Sequence, residues 1–289
     1  MPTFERQGVR CLTTLHPDRD LTELLQFDNL VTACGSSYEY GHAWRINMQT
    51  TQVRQRPTFA ESGLIGASVD DPQMGLRIAL YSPQTHPKEW ALYLDQAEAS
   101  YGTHGVACAV RRRQLETEPC PAFWHIEDLK TGQVVGGMRA HGPYPTVESV
   151  WGLQEFASFP AYDELAAIVE PLLPGGVVEN KGAYMAVDAK PSHDVPAVFV
   201  RCMSMTIEVV NARALIGTSA RHTLPLWTHA GCEIPRPDLK VPYPDDRYET
   251  VFVLHETRRR KELMSRQVRV QRIRDIAALR REEIEVGVL

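Results

Sequence analysis

The chain has 289 residues, 43% of them hydrophobic and 23% charged, enough to bury a sizeable core in one large domain or two small ones. No stretch approaches the ~18–20 apolar residues of a membrane helix, and the start carries no apolar run like a signal peptide. Six cysteines, at 11, 34, 108, 120, 202 and 232, form no C-x-x-C pair and no zinc or disulfide spacing, so a reducing cytoplasm is the expected setting and no metal is expected. The formal charge of −5 is uneven: ten basic and five acidic residues follow residue 256, against 21 basic and 31 acidic before it, which argues against nucleic acid as a partner of the acidic body.

Residues 1–70 read as an N-terminal extension or lobe, with a short helix over 21–33 capped by Asp20. From Leu76 the pattern sharpens. Leu76–Tyr81 alternates as a strand, and Pro87 opens a helix through residue 99. Residues 121–127 pair with 133–141 across Asp128-Leu-Lys-Thr-Gly132 as a hairpin. Inside it Arg139 stands alone in an apolar strand and needs a partner when buried. The segment 142–160 is a loop whose Tyr144, Trp151, Phe156 and Phe159 either wall an apolar pocket or pack as ordinary loop aromatics. Residues 161–173 form a helix.

The central unit is 177–233. A strand ends near Asp188, and a helix starts at Pro196 with Asp194 as its potential cap. Val198, Phe199, Cys202, Met203, Met205, Val209 and Val210 give that helix a broad apolar face. Leu215-Ile-Gly-Thr-Ser219 is the next strand, followed by a short helix. Strand, crossover helix, strand, short helix is a βαβα unit, and ligands of such units sit where neighbouring strands part.

In this order of elements the chain resembles the central half of the GNAT acyltransferase fold, within it the branch of acyl-homoserine-lactone synthases and long-chain N-acyl amino acid synthases. Val134-Val-Gly-Gly-Met-Arg-Ala140 is similar to that branch's third strand, and His229-Ala-Gly-Cys-Glu233 to the junction ending its fourth helix. The resemblance covers residues 76–255 and implies an α/β (α+β) domain over 71–256. Its mixed, mostly antiparallel sheet would be flanked by helices, with a basic C-terminal helix over 257–289. It implies transfer of an acyl group from a pantetheine thioester, acyl-CoA or an acyl-phosphopantetheine carrier protein, to a small amine acceptor. The oxyanion would meet backbone N–H groups of Met185, Ala186 and Val187, opposite Gly217 and Ser219.

The departures are specific. The two glycines of the family's phosphate-wrapping loop fall on Val195 and Ala197, with His193 and Asp194 beside them, and an aspartate there repels phosphate. Positions that often hold Asn, Ala and the Tyr acid are Ala220, Thr223 and Trp227. The branch's strand glutamate falls on Lys181, and Glu179, two residues earlier, shares its face and is the candidate base. His193, His222 and His229 are the alternatives. Arg139, Tyr184 and Trp227 are the candidate substrate contacts. These losses leave a catalytically inactive binding module of the same fold as the alternative. An unrelated α/β chain whose βαβα unit imitates the pattern is a third reading.

After residue 257 nothing breaks a helix until Gly287. Leu263, Val270, Ala277 and Ile284 recur at sevens beside Ile273 and Ile276, predicting an amphipathic helix laid on the body or a partner. Its arginines are the expected contact for an acidic acyl carrier protein.

Overall fold

The computed structural model describes residues 57–190, 194–257, 263 and 265–286. The predicted N-terminal helix and residues 258–261 of the basic tail lie outside them. Eight strands form one sheet: β1 (Ser68–Asp71), β2 (Leu76–Tyr81), β3 (Ala122–Asp128), β4 (Val134–His141), β5 (Val177–Met185), β6 (Ala214–Ala220), β7 (Lys240–Pro242) and β8 (Glu249–Glu256). Their order is β1-β2-β3-β4-β5-β6-β8-β7. Every neighbouring pair is antiparallel except β5–β6, whose parallel pairing needs a crossover, here through a helix. That helix is α5 (Val195–Val209); before it come α1 (Pro87–Gly102), α2 (Arg112–Thr117), α3 (Trp151–Gln154) and α4 (Ala161–Val169), and after it α6 (Leu224–His229) and α7 (Arg266–Val286).

Period-two alternation sends β3 residues to opposite layers. Ala122, Trp124 and Ile126 join the core under α5, whereas Phe123 packs with Trp90, Tyr93, Leu94 and Ala97, the buried stripe of α1. Trp124 brings a polar atom into the first core, where its indole N–H donates to Thr206 Oγ1 of α5 at 2.9 Å. A separate core holds Tyr144, Phe156, Leu165, Ile216 and Phe252 below α3 and α4. Tyr144 and Phe156 of the 142–160 loop therefore pack as core.

Two boundaries differ from the sequence reading. Phe59, Leu64 and Val69 are buried in the α5 core and β1 pairs along β2, so residues 57–70 belong to the sheet domain. A four-residue strand is too short to show its period. The C-terminal helix also docks differently from its sevenfold spacing: Val268, Asp275, Ile276 and Leu279 face the body, while Leu263, Val270 and Ile273 are exposed. Charge sets this rotation. Arg201 of α5 grips Asp275 with two hydrogen bonds, 2.8 and 2.7 Å, and reaches Asp71 at 2.7 Å.

Candidate active site

β5 and β6 pair only at Val177↔Ala214, Val178↔Leu215 and Glu179↔Ile216. Beyond that point β5 keeps to β4 and β6 keeps to β8, so the sheet opens as a wedge. A cavity of about 590 Å³ runs through it. On the α5 side its wall includes Pro196, Phe199, Ser219, Thr223 and Trp227; on the α1 side it includes Tyr101, Arg139, Glu155, Lys181 and Tyr243.

A bulge shapes the β5 wall. Gly137↔Tyr184 and Arg139↔Lys181 are register partners, so three steps on β5 oppose two on β4, which places one extra residue at Gly182 and Ala183. Gly182 has φ +60°, and a β-carbon there would lie 2.5 Å from Arg139 Nη1 and 2.7 Å from Tyr93 Oη. Helix α1 holds the bulge: Tyr93 Oη donates to the Gly182 carbonyl at 2.7 Å and Tyr101 Oη to the Ala183 carbonyl at 3.2 Å. Sequence reading passed over Gly182, because a lone strand glycine gives no sign of the register change around it.

The Ala186 N–H donates to Val135 O of β4 at 2.9 Å. It therefore serves the ladder and is not a donor in the wedge, which corrects the expectation for that residue. Successive N–H groups of an extended strand point to opposite edges, so Met185, one residue before, turns its N–H toward the wedge. Met185 lines the cavity, whereas Val187 is 65% exposed in the turn beyond it. Across the wedge Ser219 lines the cavity and bonds Thr223 Oγ1 at 2.6 Å, while Gly217 lies behind the wall.

At the start of α5, Asp194 adopts left-handed backbone (φ +41°) and its carboxylate makes no capping hydrogen bond, contrary to the capping expected of it. Val195 is fully buried, its side chain filling the space left by Gly136 of β4. The Ala197 N–H is turned back to the Asp194 carbonyl at 3.1 Å. Of this region Pro196 and Phe199 reach the cavity wall. His193 lies outside the described residues.

Glu179 and Lys181 share a face, as alternation requires, but deep in the protein. Glu179 Oε2 accepts from Tyr144 Oη at 2.6 Å and from the Gly152 N–H at 3.1 Å, and its Oε1 lies 3.3 Å from Lys181 Nζ. The structure places Glu179 beneath the cavity wall. Lys181 is on the wall, bonded to Glu155 Oε1 and, at 3.1 Å, to Thr218 Oγ1, which straps the wedge just above its apex. Burial alone would depress the Lys181 pKa, but the Glu155 and Glu179 carboxylates outweigh it and push the value up to about 12, so the ammonium is charged.

Arg139 is 1% exposed. Its Nε donates to His141 Nε2 at 3.1 Å and its guanidinium lies 5.8 Å from the Trp151 ring centre, yet Nη1 has no hydrogen-bond partner among the described residues. His141 accepts as a neutral ring: burial first, then Arg139 and Lys181, hold its pKa well below the usual value. Tyr184 lines the cavity while its hydroxyl donates to Gln96 Oε1 at 2.9 Å, and Trp227 lines the opposite wall. His222 stands at the rim beside Thr223; His229 is not on the wall. Sequence reading missed Glu155, which follows α3 in what looked like plain loop.

Among the described residues no group of acidic, His or Cys side chains is arranged to hold a metal, and no helix is long and apolar enough to cross a membrane. No protein-family model matches the chain. Uncharacterized proteins of Mycobacterium tuberculosis and Mycobacterium bovis are each 29% identical over 220 residues, covering 74% of this chain and 81% of theirs. Among solved structures the chain resembles FeeM, an N-acyl amino acid synthase from uncultured soil microbes, at 12% identity and TM-score 0.48, over 62% of this chain and 91% of that one. It also resembles MesI, a CoA-dependent acyl-homoserine lactone synthase, at 14% identity and TM-score 0.42, over 72% and 95%. An aminoglycoside acetyltransferase in complex with coenzyme A and kanamycin is similar at 13% identity and TM-score 0.41, over 65% and 98%.

Proposed function

We propose that this protein is an N-acyltransferase that moves an acyl group from a pantetheine thioester to a small amine acceptor. The observation that carries this reading is the wedge between β5 and β6, open through the sheet and rimmed by the Met185 backbone. A thioester entering from the α5 side would present its carbonyl to the Met185 N–H, a fixed donor that costs no reorganisation when charge develops on oxygen. The acceptor would enter from the α1 side, where Arg139 offers an unused N–H to an anionic group on it. Side-chain identity matters little to a backbone donor, which is why the absent tyrosine and the shifted glutamate leave this part intact.

The donor is proposed to be a loaded acyl carrier protein rather than free acyl-CoA. Val195 is committed to the core where a permissive glycine would let backbone wrap a pyrophosphate, and Asp194 adds negative charge. On α7, Arg266 and Arg274 are exposed beside Val270 and Ile273, a basic and apolar strip for an acidic partner. The same commitment of Val195 favours, as the second reading, a module that binds its ligand without turnover. Transfer assays with acyl-CoAs of several lengths, pantetheine thioesters and loaded carrier, at 0.05 and 0.3 M salt, test both. The expected result is turnover fastest from the carrier, with an apparent affinity that falls as salt rises. Binding of a thioester with no product from any amine would select the second reading.

A further inference from the structure

Resting on the acyltransferase reading, we infer that the α1-side mouth of the cavity is a subsite for a flat aromatic ring on the acceptor, and that it turns away acceptors with several ammonium groups. The mouth is built where the end of α1 meets the β7–β8 connection, residues 243–248. A β-carbon built on Gly105 would lie 3.7 Å from Arg247 Nη2, so the two segments are neighbours. Tyr101 is fixed from α1 by its bond to the Ala183 carbonyl, and Tyr243 by Thr250 Oγ1, which donates to the Tyr243 carbonyl at 2.7 Å. Tyr101, Tyr243 and Tyr248 are half-buried, His104 and His222 are exposed, and all of them line the cavity. Rings that are on the wall and also accessible are what an incoming ring can stack on.

The charge of the wall decides against a polycation. Among the described residues that line the cavity Glu155 is the one acid, its side chain has no exposure, and Lys181 pairs it. Arg139 and Lys181 are cations of the same wall. A second or third ammonium on the acceptor would therefore lose water and meet positive groups with no accessible carboxylate to offset them.

The tyrosine faces point the same way. An aromatic ring attracts a cation through the negative potential of its face, but two of these rings already hold one. The Arg247 guanidinium lies 5.5 Å from the centre of the Tyr248 ring and is locked there by Asp245, through bonds of 3.0 and 2.7 Å. The Arg111 guanidinium lies 5.8 Å from the Tyr243 ring centre. A guanidinium at one face draws electron density from the other, which weakens it for an ammonium and suits it to the offset or edge-on contact of a neutral ring. His222 makes such a contact, its ring centre 6.3 Å from that of Tyr248 and its plane tilted by 43°.

The test uses the full chain, an octanoyl thioester of pantetheine as donor, and three acceptors: 2-phenylethylamine, its saturated analogue 2-cyclohexylethylamine, and spermidine. The first two carry the same single ammonium and differ in the ring. The kcat/KM for the phenyl amine should exceed that for the cyclohexyl amine by about tenfold, as two ring contacts of ordinary strength supply, and should exceed that for spermidine by more. Tyr243→Leu and Tyr248→Leu should each bring the phenyl-to-cyclohexyl ratio down to about threefold, the share of one ring contact. Tyr243→Phe and Tyr248→Phe keep the ring and should hold the ratio near its wild-type value. Calorimetric titration of the same amines without thioester reads the subsite apart from the chemistry, and should show the same order of affinity. Equal affinities for the phenyl and cyclohexyl amines, spermidine turned over as fast as the phenyl amine, or a ratio that survives both leucine variants overturns the inference. Phenyl-selective binding that the leucine variants abolish, with no acyl transfer to any of the three amines, supports the subsite and overturns the acyltransferase reading.

Discussion

Arg139 and Lys181 stand directly opposite each other across β4 and β5, yet only Lys181 has carboxylates, Glu155 and Glu179; among the described residues Arg139 has none. A buried guanidinium stays charged, and under the proposed acyltransferase reading the counter-charge for Arg139 would be an anionic group on the acceptor. Arg139→Lys keeps the charge but loses the fork. Its KM for an amine acceptor carrying a carboxylate should rise at least tenfold, while the KM for the matched amine without the carboxylate changes less than twofold. Steady-state kinetics on the pair check this, and equal changes for both would remove Arg139 from acceptor recognition.

Gly182 is the hinge of the bulge, and alanine there meets both a left-handed backbone and the side chains of Arg139 and Tyr93. The conformational cost alone is about 1–2 kcal/mol. Relieving the contacts would shift the β5 wall against Met185, so Gly182→Ala should lower kcat at least tenfold with a loss of only a few degrees in Tm. A variant with wild-type kcat would show that the bulge does not set the position of the thioester.

Asp275 ties α7 to α5 through a buried, bidentate pair with Arg201. Breaking such a pair from one side costs about 3–5 kcal/mol, because a cation is left buried with part of its partners gone. Asp275→Asn should therefore lower Tm by roughly 6–12 °C in a domain of this size, more than reversal of exposed Arg274 does. Calorimetry of the two variants decides whether α7 is part of the folded body or a loosely held tail.

Burial pushes the pKa of His125 down to about 4, and burial with Arg272, against the Gly231 carbonyl, does the same for His255, from the usual 6.5. Above pH ~6.5 neither folded nor unfolded chain protonates them, so their contribution is flat. Between about 6.5 and 4 only the unfolded chain takes the proton, and stability falls with falling pH by about 1.4 kcal/mol per unit for each ring. Denaturation free energies at pH 6.5 and 5 should differ by about 2 kcal/mol per histidine, and His125→Gln should remove one such share. A slope unchanged in His125→Gln would mean that the ring is protonated in the fold.

The hairpin of β3 and β4 and the helix α5 were legible in the sequence because each carries a long, clean period, and the parting of β5 from β6 followed from the βαβα order. Depth was not legible. Alternation put Glu179 and Lys181 on one face, but Tyr144 and Gly152, which seal Glu179 below the wall, arrive from the 142–160 loop, whose course no period describes. For the same reason Glu155, at the end of a four-residue helix, looked like any loop acid. The run Met185 to Val187 was read as one set of donors, but alternate N–H groups face opposite edges, and the Ala186 N–H is the one that goes to Val135 of β4. The heptad pattern of α7 was real but did not identify its docked face, which an ion pair with Arg201 selects.

The most direct measurement is a crystal structure with a non-transferable acyl-pantetheine analogue bound. The account predicts that its arm threads between β5 and β6, and that its carbonyl oxygen lies about 3 Å from the Met185 nitrogen. An arm bound outside the wedge, or a carbonyl held by side chains away from Met185, would contradict it.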